Sequence, residues 1–168
     1  MDELKINDRD LVLNALNDLG INYKAIEHPA IPTIEEALEY WKDLDATHCK
    51  NLFFRNHKGN KHYLVIFEHS QKLAIKDLEQ RLKQGKMSFA SEKRMIKYLK
   101  TIGGSISPFG LINDTENHTF LFLDKNLENA QNISFHPNDN TMTVVISMAD
   151  FKKYLNWVGN DYQFIDLY

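Results

Sequence analysis

One cysteine, Cys49, stands in 168 residues, so no internal disulfide can form and a reducing compartment is expected. No apolar run approaches the roughly 20 residues that cross a bilayer. The first residues, Met1-Asp2-Glu3-Leu4-Lys5, lack the basic and apolar regions of a signal peptide. A G-x-x-x-x-G-K-[ST] phosphate loop is missing, and so are H-E-x-x-H and the G-x-S-x-G nucleophile elbow. The 7 histidines are scattered without ligand spacing, and one cysteine cannot build a thiolate zinc site. Neither a metal nor another cofactor is expected. No internal repeat or low-complexity linker interrupts the chain, so residues 1–168 read as a single cytoplasmic domain large enough to bury a core.

Charge of one sign is not missing, but it is segregated. The net charge of -3 argues against indiscriminate nucleic-acid binding. Residues 1–48 carry 4 basic and 11 acidic side chains, whereas residues 72–100 carry 9 and 3. The basic block runs directly into Gly103-Gly104-Ser105-Ile106-Ser107-Pro108. It reads either as a solvated helical face or as a surface for phosphates.

Asn7 or Asp8 is placed to cap a helix carrying Leu11, Ala15, Leu16 and Leu19, with Gly20 as its stop. A short strand over 21–27 follows. Thr33-Ile34-Glu35-Glu36 is a capping box for a short acidic helix to about Trp41, read as a mobile flap or a surface helix. Residues 49–55 and 62–67 predict a hairpin of strands covered on both faces, since apolar residues run consecutively. Helices are expected over 73–84 and 91–100, with a short extended piece at 87–89 between them. Strands are expected at 111–113, 119–123, 132–136 and 141–147, and a last helix from Ser147 to Val158. The irregular alternation favours an α+β domain with a mixed sheet.

Three places could carry chemistry. Lys50, in Cys49-Lys50-Asn51, opens an apolar strand, where a lysine either snorkels to water or aims its ammonium at a phosphate or carbonyl. In a regular strand Cys49 and Lys50 face opposite sides, so both cannot point into one pocket. Cys49 has no recognisable activating base and is read as a packed residue. The loop Gly104 to Pro108 is the second place, because glycine lets several backbone N–H groups converge on one anion. The third is His136 in Phe135-His136-Pro137, a pocket group or a partner for a turn carbonyl.

Read together, these stretches resemble the freestanding prolyl-tRNA editing proteins of the YbaK/prolyl-tRNA-synthetase-associated family. The resemblance rests on His28-Pro29, Thr33 to Ala37, Cys49 to Arg55, Leu82 to Ser91, Gly104 to Asp114 and Phe135 to Pro137, in order and over nearly the whole chain. Within the family the chain is most similar to the branch that deacylates alanyl-tRNA(Pro). The resemblance implies a mixed sheet curled into a barrel-like core with helices outside, and a trans-acting, metal-independent ester hydrolase. By motif it assigns Lys50, Gly104, Ser105, Ile106, Ser107, Pro108 and His136 to catalysis; on the loop's own chemistry, the backbone amides of Gly104 to Ser107 are expected to form the oxyanion receptor. Thr33, Asn51, Leu52, Phe54 and Phe109 are the candidates for substrate binding and pocket walls. The implied partners are tRNA(Pro) carrying a non-cognate amino acid and, as a second candidate, prolyl-tRNA synthetase; no DNA or membrane is expected. The alternatives are a deacylase for cysteinyl- or seryl-tRNA(Pro), or a tRNA-binding module without turnover.

Overall fold

A computed structural model of the chain describes residues 6–30, 34–42 and 44–167. Helix α1 (Arg9–Asp18) starts where Asp8 accepts the Leu11 N–H at 3.3 Å, and it buries Val12, Ala15 and Leu16. Strand β1 (Lys24–Glu27), helix α2 (Ile34–Trp41) and the hairpin β2 (Thr47–Asn56) and β3 (His62–Glu68) follow. Next come α3 (Ile75–Leu82), β4 (Met87–Phe89) and α4 (Glu92–Leu99), whose cap is Ser91, accepting the Arg94 N–H. After the glycine loop lie β5 (Thr119–Asp124), β6 (Asn132–Phe135), β7 (Met142–Ser147), α5 (Met148–Val158) and β8 (Tyr162–Ile165).

Eight strands form one mixed sheet in the order β1-β7-β6-β2-β3-β5-β8, with β4 branching from β2. Strand β3 is buried along nearly its whole length, as its unbroken apolar run requires. Residues on one face (Phe53, Leu64, Ile66, Leu121, Leu123) join the main core with Leu16, Leu99, Phe151 and Tyr154. On the other face Phe54, Tyr63, Val65 and Phe67 pack with Leu78 and Leu82 of α3. Among the described residues β1 and β8 end the order and do not pair with each other.

One local expectation is corrected, and one strand is new. Residues 111–113 are not a strand but the end of a 3₁₀ helix, Pro108–Asn113. Pro108 sits at its start with a preset φ, and Ser107 Oγ accepts the Phe109 N–H, so the chain turns before it can extend. The unforeseen β8 adds parallel to β5, with Leu121 opposite Tyr162.

The sheet forks at β2, and this positions the site. One edge of β2 pairs with β3 from Cys49 to Arg55. On its other edge Thr47 and His48 pair with β6, while Phe54 to Asn56 pair with β4. Between those contacts, among the described residues, Cys49 to Leu52 have no strand on that side. The Phe53 carbonyl accepts the Ala90 N–H, and the His48 carbonyl accepts the His69 N–H on the β3 side. Backbone groups alternate along a strand, so the N–H and C=O of Asn51 and Cys49 face the gap.

Candidate active site

A cavity of about 290 Å³ occupies the fork. Strand β2 contributes Cys49, Lys50, Asn51 and Leu52, the loop after α4 contributes Gly103, Gly104 and Ile106, and the end of β6 contributes Ser134, Phe135 and His136. Thr143 of β7 and Ala37 and Trp41 of α2 complete it. The strand is regular, yet Cys49 and Lys50 both line the cavity, because the space lies beside the free edge of β2 rather than over one face. The two side chains still leave the strand on opposite faces, as expected, although both residues border the space. Cys49 stays inert all the same: burial first, and Glu68 second, push its thiol far above the ordinary range.

Lys50 is half-buried and stands opposite Phe67 in the ladder. Among the described residues its ammonium has no hydrogen bond or ion pair. A buried-edge cation with no internal anion can compensate an anionic or carbonyl ligand. Next to it Asn51 Oδ1 is buried without a hydrogen-bond partner, leaving an acceptor open in the fork.

The glycine loop is tighter than expected. Gly103 has φ +50°, a backbone that side chains rarely adopt, and starts a single 3₁₀ turn. The Ser105 N–H donates to the Ile102 carbonyl at 3.0 Å, and the Ile106 N–H to the Gly103 carbonyl at 3.4 Å. Two of the four amides expected to form an oxyanion receptor are thus used within the turn, while the N–H of Gly104 has no backbone partner among the described residues. Ser107 Oγ donates to the His136 carbonyl at 2.7 Å, and the Pro108 carbonyl accepts the Tyr154 hydroxyl at 2.7 Å. Gly104 and Ile106 line the cavity; Ser105, Ser107 and Pro108 lie outside its lining, and Ser107 fastens the loop to the His136 backbone.

His136 Nδ1 lies 2.7 Å from the Met142 carbonyl, which can only accept, so Nδ1 carries the proton and Nε2 the lone pair. Burial holds this histidine below its ordinary pKa and hence neutral, an acceptor at Nε2. The same reasoning fixes a chain behind it. His28 Nδ1 donates to the Pro29 carbonyl at 3.0 Å, so its Nε2 accepts from Thr143 Oγ1 at 2.8 Å, and Thr143 Oγ1 accepts the Trp41 indole N–H at 3.3 Å. Trp41 also stacks on His48, with centroids 4.3 Å apart and planes 9° off parallel. His48 hydrogen-bonds Ser134, its register partner on β6. Burial, with the nearby His69 second, lowers the His48 pKa to about 4. Helix α2 is therefore a wall of the cavity, not a bare surface helix.

Leu52 lines the cavity, but Phe54 and Phe109 do not. Phe54 is fully buried under α3, and Phe109 meets Phe135 and Tyr154 edge-on in the main core. Both are corrected from pocket walls to packing residues. Thr33 lies outside the described residues. Trp41, Ser134 and Thr143 escaped the sequence reading, since only the pairing of distant strands brings them together.

The profile of the aminoacyl-tRNA editing domain matches residues 28–154, which run from His28 through the fork to Tyr154. The chain belongs to this family. The editing-domain chain is 40% identical over 164 residues to prolyl-tRNA editing protein ProX of Acetoanaerobium sticklandii, covering 98% of this chain and 100% of that one. It is 32% identical over 149 residues to the mouse prolyl-tRNA synthetase associated domain-containing protein 1, covering 87% and 88%. A crystal structure described as a candidate trans-editing enzyme for prolyl tRNA synthetase superposes with a TM-score of 0.69. That match has 20% identity over 94% of this chain and 96% of the other, and it supports the mixed α+β architecture.

Proposed function

We propose that this protein hydrolyses the ester of mischarged alanyl-tRNA(Pro) in trans, as one editing domain acting in the cytoplasm. The observation that carries the reading is that Lys50, Gly104 and His136 all line one small cavity, with His136 Nδ1 bonded to the Met142 carbonyl so that Nε2 is left as an acceptor. Water attacks the ester carbonyl, and the bond to the ribose oxygen breaks. The ribose oxygen takes the proton, and free alanine and tRNA leave. Gly104 N–H meets the negative charge that develops on the carbonyl oxygen, and a donor of this kind is commonly worth about 3–4 kcal/mol. Lys50 holds the phosphate or ribose end and orients the ester. Asn51 Oδ1 and His136 Nε2 accept from the alanine ammonium. With His136 Nε2 engaged by the alanine ammonium, the neighbouring ribose hydroxyl orients the water. The reaction so written draws on no metal.

Selectivity follows from size. A synthetase pocket shaped for proline rejects smaller alanine by only about 1–3 kcal/mol per missing methylene. A second cavity bounded by Leu52, Ile106 and Trp41 can instead exclude proline and destroy the error. The test is single-turnover hydrolysis of alanyl-tRNA(Pro) and prolyl-tRNA(Pro) with protein in excess and chelator present. Release of alanine with proline retained supports the reading. Retention of the tRNA with no release identifies a binding module, and faster loss of serine or cysteine from their tRNA(Pro) esters reassigns the substrate.

A further inference from the structure

Phe89 is the most exposed of the large apolar side chains among the described residues, with 55% of its surface open. It is nevertheless held in place. Its ring stacks on the fully buried Phe54, its register partner on β2, with centroids 4.8 Å apart and planes 22° off parallel. One face of the ring is therefore covered by protein, and the other is presented to solvent.

The position of this ring relative to the fork follows from strand geometry. Lys50, Leu52 and Phe54 alternate onto one face of β2, and Phe89 sits beside Phe54. At about 3.3 Å per residue, Phe54 lies roughly 13 Å along the strand from Lys50. That distance suits a nucleoside or a short single strand leading away from an ester held at Lys50, not a free amino acid. The surrounding charge is mostly positive, with two acids at its margins: Glu79 Oε1 accepts the Met87 N–H at 2.9 Å, and Glu92 follows Ser91. From Gln80 to Ser91 the chain carries exposed Arg81, Lys83 and Lys86 and no acidic residue. A three-residue strand is too short to recruit a protein strand along its edge, whereas an aromatic face among cations is the pattern that holds unpaired bases.

We propose that Phe89 is a stacking platform for a base in the single-stranded 3′ end of the RNA whose terminal ester enters the fork. This rests on the deacylase reading and names the surface that holds that substrate. Because Phe54 already orders the ring, little side-chain freedom is lost on stacking.

The experiment compares Phe89→Ala, Phe89→Leu and Phe89→Trp with the unaltered protein, using alanyl-tRNA(Pro), alanine methyl ester and an uncharged RNA oligonucleotide ending in CCA. Phe89→Leu keeps Phe54 covered, so it retains the fold if Phe89→Ala does not. Loss of the aromatic face should raise KM for alanyl-tRNA(Pro) by about 5- to 150-fold, far more than for the methyl ester. Phe89→Trp should preserve affinity and show quenched indole fluorescence when the oligonucleotide binds. Equal oligonucleotide affinity in all four proteins overturns the proposal, as does a KM change of the same size for both esters. If the unaltered protein releases no alanine, the deacylase reading fails while the oligonucleotide titration still decides the role of Phe89. If release proceeds and the aromatic variants match the aliphatic ones, only the platform fails.

Discussion

Replacing Lys50 by alanine removes the one cation that lines the fork among the described residues. Its ammonium has no internal partner among the described residues, so the folded state loses no ion pair, and the thermal midpoint should fall by less than a few degrees. The substrate loses a charge-assisted hydrogen bond, which is worth about 1.5–3 kcal/mol. At 1.4 kcal/mol per tenfold, kcat/KM should fall by about 10- to 150-fold. If Lys50 mainly anchors the phosphate, the loss appears in KM; if it orients the ester in the transition state, it appears in kcat. Lys50→Met keeps the aliphatic stem and separates packing from charge. The assay is release of labelled alanine from alanyl-tRNA(Pro) under single- and multiple-turnover conditions, with a melting curve for each variant. An unchanged kcat/KM in a folded Lys50→Ala protein removes the lysine from the mechanism.

Cys49→Ser should leave turnover within a few-fold, because a thiol pushed so far up by burial is not a nucleophile; complete loss of alanine release would restore that role. His48 and His62 are both held at about 4, chiefly by burial, whereas the unfolded chain protonates each near its ordinary value of 6.5. The unfolded state thus binds more protons between those values, and the melting temperature should fall as pH drops from about 6.5 towards 4. A flat profile across that window contradicts the buried, neutral assignment. In Gly110→Ala the new methyl would lie 3.1 Å from Leu99 Cβ and 3.4 Å from its carbonyl oxygen. Leu99 is wholly buried where α4 ends, so this overpacking should cost about 1–3 kcal/mol in chemical denaturation; wild-type stability would show that the loop yields.

Much of this architecture is legible in local pattern. The hairpin of β2 and β3, the Ser91 and Ser147 caps and the extended Met87–Phe89 all follow from residue type and spacing. The same rules fail where a remote contact decides. Leu111-Ile112-Asn113 has strand-like side chains, but Pro108 and Ser107 upstream set a 3₁₀ path. Tyr162 to Ile165 is only partly buried and shows no alternation, so β8 declares itself only through its pairing with β5. The fork could not be read at all. It exists because β6 leaves β2 after His48 while β4 joins it only from Phe54, and these partners come from segments 86 and 35 residues away. That is why Trp41, Ser134 and Thr143 went unnoticed, and why Phe54 looked like a wall although α3 and Phe89 cover it. Conversely, Lys50, Gly104 and His136 are separated by 54 and 32 residues, yet all reach one cavity.

The direct test of the central claim is a crystal structure with a 3′-alanylamide analogue of the tRNA terminus, in which an amide replaces the labile ester. The fork account predicts the amide carbonyl within hydrogen-bond distance of the Gly104 N–H, the alanine ammonium near Asn51 Oδ1 and His136 Nε2, and the Lys50 ammonium on the ribose or its phosphate. Density for the alanyl group anywhere but the gap between β6 and β4 would contradict it.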